Sequence, residues 1–378
     1  MSGLTIICTA RLTWMYSENF ISYLGKPDRS CRKNFGGDED MLTSKEYISL
    51  LAGKTEPALA FKEDMNFEDW QQEAHAKLEE LLGLPLPECE PEFQVITEDE
   101  TDEYTSISFT FQSEPGYRVP CTLLVPKGVD KPIPGVICLQ GHSKGAHISL
   151  GKVIYESDAE SIAGGRDFAV RAVKEGFCAI AMEQRYMGVL GGRTDGEPAC
   201  LGLTDDAAMG SFLMGRTPIG ERVWDVHKLI DVIEKHLEDY IDASQIICMG
   251  NSGGGTATFY ASCYDRRICL SMPSCALCTY DESIMAMMHC PCNCIPGIRK
   301  YFNMGDLGGL IAPRPAVIVC GVEDDIFPLA GVEKSYEVMR NTYEHIGKGE
   351  LCRLVKGNGG HQFYPDDAWP VMKELLGR

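Results

Sequence analysis

The sequence predicts an α/β fold with a mostly parallel central sheet flanked by helices, an N-terminal extension and cap-like insertions. Two observations predict it. Short apolar runs at 136–139, 178–182, 246–249, 268–272 (interrupted once, by Ser271) and 316–320 suit parallel strands buried on both faces. Segments with helical spacing lie between them, and alternation of the two kinds argues for a sheet covered by helices.

Residues 1–40 lack clear periodicity and end on the breaker Gly36-Gly37-Asp38-Glu39-Asp40. Met41 opens a better patterned stretch, so a natural start there is expected. Residues 41–90 read as a helical extension, and 91–378 as the catalytic domain. In the extension, Phe67, Trp70, Ala74, Leu78, Leu81 and Leu82 share one helical face over 67–83, with Pro85 and Pro87 as the stop. Alternating runs near 92–97, 105–112 and 118–125, with a turn at Glu114-Pro115-Gly116, predict three antiparallel strands before the parallel sheet. After Pro218, the positions Ile219, Val223, Val226, Ile230, Ile233 and Leu237 form the clearest helical stripe. Segments 184–217 and 274–312 break the alternation and read as insertions above the sheet, where substrate walls sit.

A chain of 378 residues with 44% hydrophobic content supports one large core. The net charge of -20 disfavours nucleic acid and anionic membrane as partners, because phosphates repel it. No apolar run approaches the roughly 20 residues of a membrane span, and no signal-peptide pattern is visible. With no export signal, the 17 cysteines read as reduced thiols of a cytoplasmic protein. A homo-oligomer is compatible with all of this.

Chemistry enters at Gly250-Asn251-Ser252-Gly253-Gly254, which matches G-x-S-x-G. The apolar run before it and the small residues after it give strand, sharp turn, helix, the arrangement that lifts a serine hydroxyl above a sheet edge. A serine hydroxyl needs a base. Three histidines follow Ser252: His289, His345 and His361. His361 sits on a glycine-flanked loop after a strand-like run and is the expected base. His345 lies in a helical pattern. The expected acid is Asp324, with Asp325 in reserve, in the loop Gly321-Val322-Glu323-Asp324-Asp325 after the run at 316–320. The order serine, acid, histidine is the one such sheets use. The expected oxyanion donors are the backbone N–H groups of Gly253 and of His142, the latter in the loop after 136–139. Met214 and Phe327 are expected to line the substrate pocket, with Phe363 and Tyr364 as further wall candidates.

The stretches 135–147 (GVICLQGHSKGAH), 215–225 (GRTPIGERVWD), 249–255 (MGNSGGG), the 321–328 turn and Gly359-Gly360-His361 resemble the α/β-hydrolase superfamily. The likeness is to its dienelactone hydrolase and acetyl xylan esterase-like group, over about residues 135–361. That resemblance implies the α/β-hydrolase fold, hydrolysis of carboxylic esters, often deacetylation of sugars, and no metal or organic cofactor. The chain departs from the group in having Ser252 where true dienelactone hydrolases have cysteine. It also has Gly253 after the serine and Gln362 after the histidine, where the sugar deacetylases carry Gln and Glu. Arg185 matches a position where such enzymes brace loops with arginine.

The expected function is therefore a serine carboxylesterase acting on short-chain esters, acetyl esters included, of small molecules or sugars. A peptidase or amidase on the same triad is the rival, and a non-catalytic binding protein on the same scaffold is the third reading. Cys275, Cys278, His289, Cys290, Cys292 and Cys294 fall within 20 residues. Their spacing is not that of a zinc ribbon, so they read as soft residues packing a cap, with structural zinc as the alternative.

Overall fold

A computed structural model describes residues 42–143, 145–191 and 208–378. The expectation for residues 1–40 lies outside these. Residues 52–378 form one compact unit, and residues 42–51 belong to a separate one. The start of helix α1 (Ser44–Lys54) is closed by Thr43, whose hydroxyl and backbone N–H both reach the Glu46 carboxylate at 2.7 and 2.6 Å.

From Ala52 onward the chain builds one nine-stranded sheet. The strands are β1 (Gln94–Glu100), β2 (Tyr104–Glu114), β3 (Tyr117–Pro126), β4 (Ile133–Leu139), β5 (Cys178–Met182), β6 (Ile241–Asn251), β7 (Ile268–Ser274), β8 (Ala316–Gly321) and β9 (Cys352–Gly357). Their order is β1-β2-β3-β5-β4-β6-β7-β8-β9. The first four neighbours pair antiparallel, and all pairs from β5-β4 onward are parallel. This is the expected architecture, with the three alternating runs forming the antiparallel edge.

Each apolar run became a central strand because both its faces are covered. In β4, Ile137 and Leu139 enter one core while Val136 and Cys138 enter the other. The first core takes Leu78 of helix α2 (Phe67–Leu82), Trp224 and Ile230 of α4 (Pro218–His236) and Phe259 of α5 (Gly253–Tyr264). The second takes Phe168 of α3 (Phe168–Lys174) and Trp369 of α7 (Pro365–Leu375). Helix α6 (Leu329–His345) follows β8.

Helix α2 thus shares the main core rather than standing apart as an extension. Asn66 caps its start, and its end is Gly83, left-handed at φ 76°, before Pro85 or Pro87 is reached. A left-handed residue there satisfies the last carbonyls, and glycine takes it without strain. Thr217 caps α4 by accepting from Gly220 N–H at 3.0 Å and donates to the Leu82 carbonyl at 2.8 Å, joining the ends of α2 and α4.

Arg185, just beyond β5, is buried and braced. It donates twice to Asp225 at 2.8 Å, once to Ser113 at 3.1 Å, and pairs with Glu114 at 2.6 Å. Its neighbour Glu183 has a different balance. Burial pushes the Glu183 carboxyl up to about 7, although Ala146 N–H donates to it at 3.2 Å. An acid whose folded value is raised binds more protons folded than unfolded, so its contribution to stability falls as pH rises from about 4.5 to about 7. Urea melts at pH 5 and pH 8 should therefore show a smaller loss of stability for Glu183→Gln than for wild type. An equal loss in both would assign the pH dependence to other groups.

Candidate active site

The ends of β4, β6, β7, β8 and β9 lie side by side, so the loops after them meet above one edge of the sheet. Ser252 stands between β6 and α5 with φ 57° and ψ -123°, a backbone conformation that L residues rarely adopt. Strain of this kind persists only where the surroundings impose it. Here Ser252 N–H donates to the Ser274 carbonyl at 2.9 Å, and the Ser252 carbonyl accepts from Thr256 N–H at 2.8 Å. The next turn passes close beneath β4: a Cβ on Gly254 would lie 2.1 Å from the Leu139 carbonyl oxygen. Only glycine fits there.

His361 and Asp324 come together from the loops after β9 and β8. The imidazole Nδ1 and the carboxylate Oδ2 are 2.8 Å apart. The other carboxylate oxygen accepts from Ile326 N–H at 2.9 Å and Phe327 N–H at 3.0 Å. Burial alone would raise the Asp324 carboxyl, but the His361 hydrogen bond, its charge and the two backbone donors bring it below the ordinary carboxylate value. Asp325 and Glu323 are exposed. Among the described residues, no hydrogen bond joins the Ser252 hydroxyl to His361, a contact that commonly tightens only with substrate bound.

Aromatic packing holds this pair. The Phe327 ring stacks on His361 with centroids 5.9 Å apart, and the His289 ring meets the edge of Phe327 at 5.7 Å. Phe327, expected as a pocket wall, thus packs against the imidazole. Burial, with the charges of His142 and His361 nearby, lowers His289 to about 4, which keeps it neutral. Phe363 packs edge-on against Phe168 at 5.3 Å, and Tyr364 donates to the Gly360 carbonyl at 2.8 Å, so both support the His361 loop. Met214 is 77% exposed.

The His142 ring covers Gly253: a Cβ there would lie 2.9 Å from two of its atoms. His142 Nε2 lies 3.0 Å from Cys292 Sγ. Cys290 donates to Cys292 at 2.9 Å, and Arg222 points Nη1 at the same sulfur from 3.5 Å. Burial would raise the Cys292 thiol, but the Cys290 hydrogen bond and the charges of Arg222 and His142 bring it well below the ordinary thiol value; Cys290 rises correspondingly because it keeps the shared proton.

The sequence cluster of cysteines does not gather into one group. Cys275 lies with Asp324 and His361 and donates to the Gln362 carbonyl at 3.2 Å. Cys278 packs with Cys320, Phe327 and Val332.

Arg166 escaped sequence reading because nothing local marks it. Its Nε donates to Gln140 Oε1 at 3.2 Å, and its carbonyl accepts from Gln140 Nε2 at 2.6 Å. Its Nη2 is buried with no hydrogen-bond partner among the described residues. That nitrogen lies 3.1 Å from where a Cβ on Gly141 would sit, a point itself 3.0 Å from the Ser252 Cβ. A partnerless guanidinium N–H beside the nucleophile-like serine suits a negatively charged oxygen.

The model of the Abhydrolase family matches residues 32–353. The chain belongs to the Abhydrolase family. Among curated proteins it is similar to "Putative hydrolase YtaP" of Bacillus subtilis (strain 168), 23% identical over 293 residues, 76% of this chain and 93% of that protein. Among solved structures it is similar to a "putative acetyl xylan esterase" from Bacteroides fragilis NCTC 9343 (TM-score 0.74, 18% identity, 90% of this chain and 97% of that one). It is also similar to a glucuronoyl esterase from Solibacter usitatus (TM-score 0.65, 14% identity, 86% and 98%). At these identities the likeness to solved structures is one of fold, and the fold is the α/β-hydrolase fold. Among the described residues, no helix of this Abhydrolase family member is long and apolar enough to cross a membrane.

Proposed function

We propose that this Abhydrolase family member is a serine carboxylesterase acting on short-chain esters, with acetylated or uronic sugar esters as the substrate class to test first. The observation that carries the reading is the strained Ser252 at its strand–helix elbow, with the bonded His361–Asp324 pair on neighbouring loops. The names of the similar structures, acetyl xylan esterase and glucuronoyl esterase, support sugar esters as the class.

In this reading His361 Nε2 takes the Ser252 proton while Asp324 holds Nδ1–H and stabilises the imidazolium. Ser252 Oγ attacks the acyl carbonyl. The N–H groups of Gly253 and His142 receive the oxyanion, and the Arg166 guanidinium, whose Nη2 has no hydrogen-bond partner among the described residues, adds positive charge beside it. His361 then protonates the leaving alcohol, which departs with the acyl group left on Ser252. A water, deprotonated by His361, clears the acyl-enzyme. The substrate walls come from residues 184–191, 208–217 and 274–312, Met214 included, and the setting is cytoplasmic.

The test is hydrolysis of p-nitrophenyl acetate, butyrate and octanoate by the purified chain. Rates falling with chain length support a short-acyl esterase and lead to acetylated xylo-oligosaccharides and methyl glucuronate esters. No turnover of any ester, with turnover of an acyl-amide panel instead, would replace the reading by an amidase.

A further inference from the structure

We propose that His142, Cys290 and Cys292 form a binding site for one borderline-soft divalent metal ion, zinc foremost. The three donor atoms all lie within 4.8 Å of one another. They come from two places far apart in sequence: the loop after β4, and the single turn Pro291–Asn293 with its preceding residue. Nothing in the spacing of the cysteines alone discloses this, because the third donor is more than a hundred residues upstream.

The donor set suits zinc. Two thiolates and an imidazole are the ligands that zinc prefers and that magnesium or calcium, which want oxygen, do not. Tetrahedral zinc with bonds of about 2.3 Å to sulfur and about 2.0 Å to nitrogen needs donors about 3.5–3.8 Å apart. The present separations are 2.9 Å between the sulfurs and 3.0 Å from His142 Nε2 to Cys292 Sγ, so entry of an ion requires the donors to spread by under about 1 Å. Each bound thiol would release its proton to solvent as its sulfur binds the ion.

A second observation comes from Arg222. It is fully buried, aims Nη1 at Cys292 Sγ from 3.5 Å, is anchored by Nε to the Arg185 carbonyl at 3.1 Å, and leaves Nη2 without a hydrogen-bond partner among the described residues. An N–H group held against a sulfur donor orients it as a metal ligand. Three protein donors leave a fourth position open for water or another ligand. The bound ion would tie the His142 loop to the 274–312 insertion. The site's consequence for catalysis rests on the esterase reading, because His142 N–H is the proposed oxyanion donor; the binding of metal does not.

The test uses the full chain, reduced, stripped by chelator and titrated with Co2+ under anaerobic conditions. Expected are one Co2+ per chain, thiolate-to-cobalt charge-transfer absorption, and stoichiometric bleaching by Zn2+. Cys290→Ser, Cys292→Ser and His142→Ala should each weaken binding by at least about 100-fold, and Cys278→Ser should leave the spectrum unchanged. Absence of the charge-transfer band while thiol titration shows Cys290 and Cys292 reduced overturns the proposal. So does a band that survives in the Cys290→Ser/Cys292→Ser double variant. If the cysteine variants do not fold, zinc X-ray absorption on wild type decides: two sulfurs with one imidazole support the site, and a shell of oxygen and nitrogen alone overturns it. Ester hydrolysis is not read in any arm, so its failure would leave this result standing.

Discussion

Ser252→Ala is expected to lower kcat on p-nitrophenyl acetate by about 10⁵- to 10⁶-fold, the loss typical of removing a triad nucleophile. The remaining rate reflects binding and oxyanion donors acting on water. The fold should survive, because Ser252 is held through its backbone, by Ser274 and Thr256, and among the described residues no hydrogen bond uses its hydroxyl. A fluorophosphonate probe should add its mass to wild type and not to the variant. Activity within about tenfold of wild type, outside the range for a lost nucleophile, would remove Ser252 from the mechanism.

Asp324→Asn should lower kcat by about 10⁴-fold, while Asp325→Asn, at an exposed side chain, stays near wild type. The orientation of the new amide explains the size of the effect. Ile326 and Phe327 N–H groups donate to Asp324 Oδ1, so the amide oxygen of asparagine takes that end. Its NH2 then faces His361 Nδ1, which must become an acceptor. The imidazole proton moves to Nε2, the nitrogen that has to receive the Ser252 proton, and general-base catalysis stops.

The same substitution has a stability signature. The folded Asp324 carboxyl lies below its ordinary value, so it stabilises the fold above the unfolded value and that contribution is lost as pH falls through the folded one. Acid melts should show wild type losing more stability below about pH 4 than Asp324→Asn. Parallel acid curves would mean that the His361–Asp324 pair contributes nothing to the fold.

Much of this was legible because burial on both faces leaves a local mark. The runs at 178–182 and 316–320 became β5 and β8 since a strand covered by helices on each side has no polar positions to interrupt it. The elbow was legible for a related reason: Gly254 passes so close to Leu139 that no side chain fits, and that constraint is written as glycine. Asp324 and Asp325 were not separable from sequence, being adjacent carboxylates of one loop. Burial and the Ile326 and Phe327 N–H groups distinguish them, and both depend on how the loop folds over β8.

By itself, then, the amino-acid order determined the strand and helix pattern, the elbow and the identity of the chemical groups offered, because each constraint, even one imposed by a distant contact, is written into a few consecutive residues. The tertiary structure alone decided which groups meet. It separated Cys275 and Cys278 from Cys290 and Cys292, and it brought His142 and Arg222 to the latter pair and Arg166 to the side of Ser252. Those meetings join residues up to 150 positions apart. They arise from the order in which parallel strands stack, which places loops from distant segments above one sheet edge and leaves no local trace in any of them.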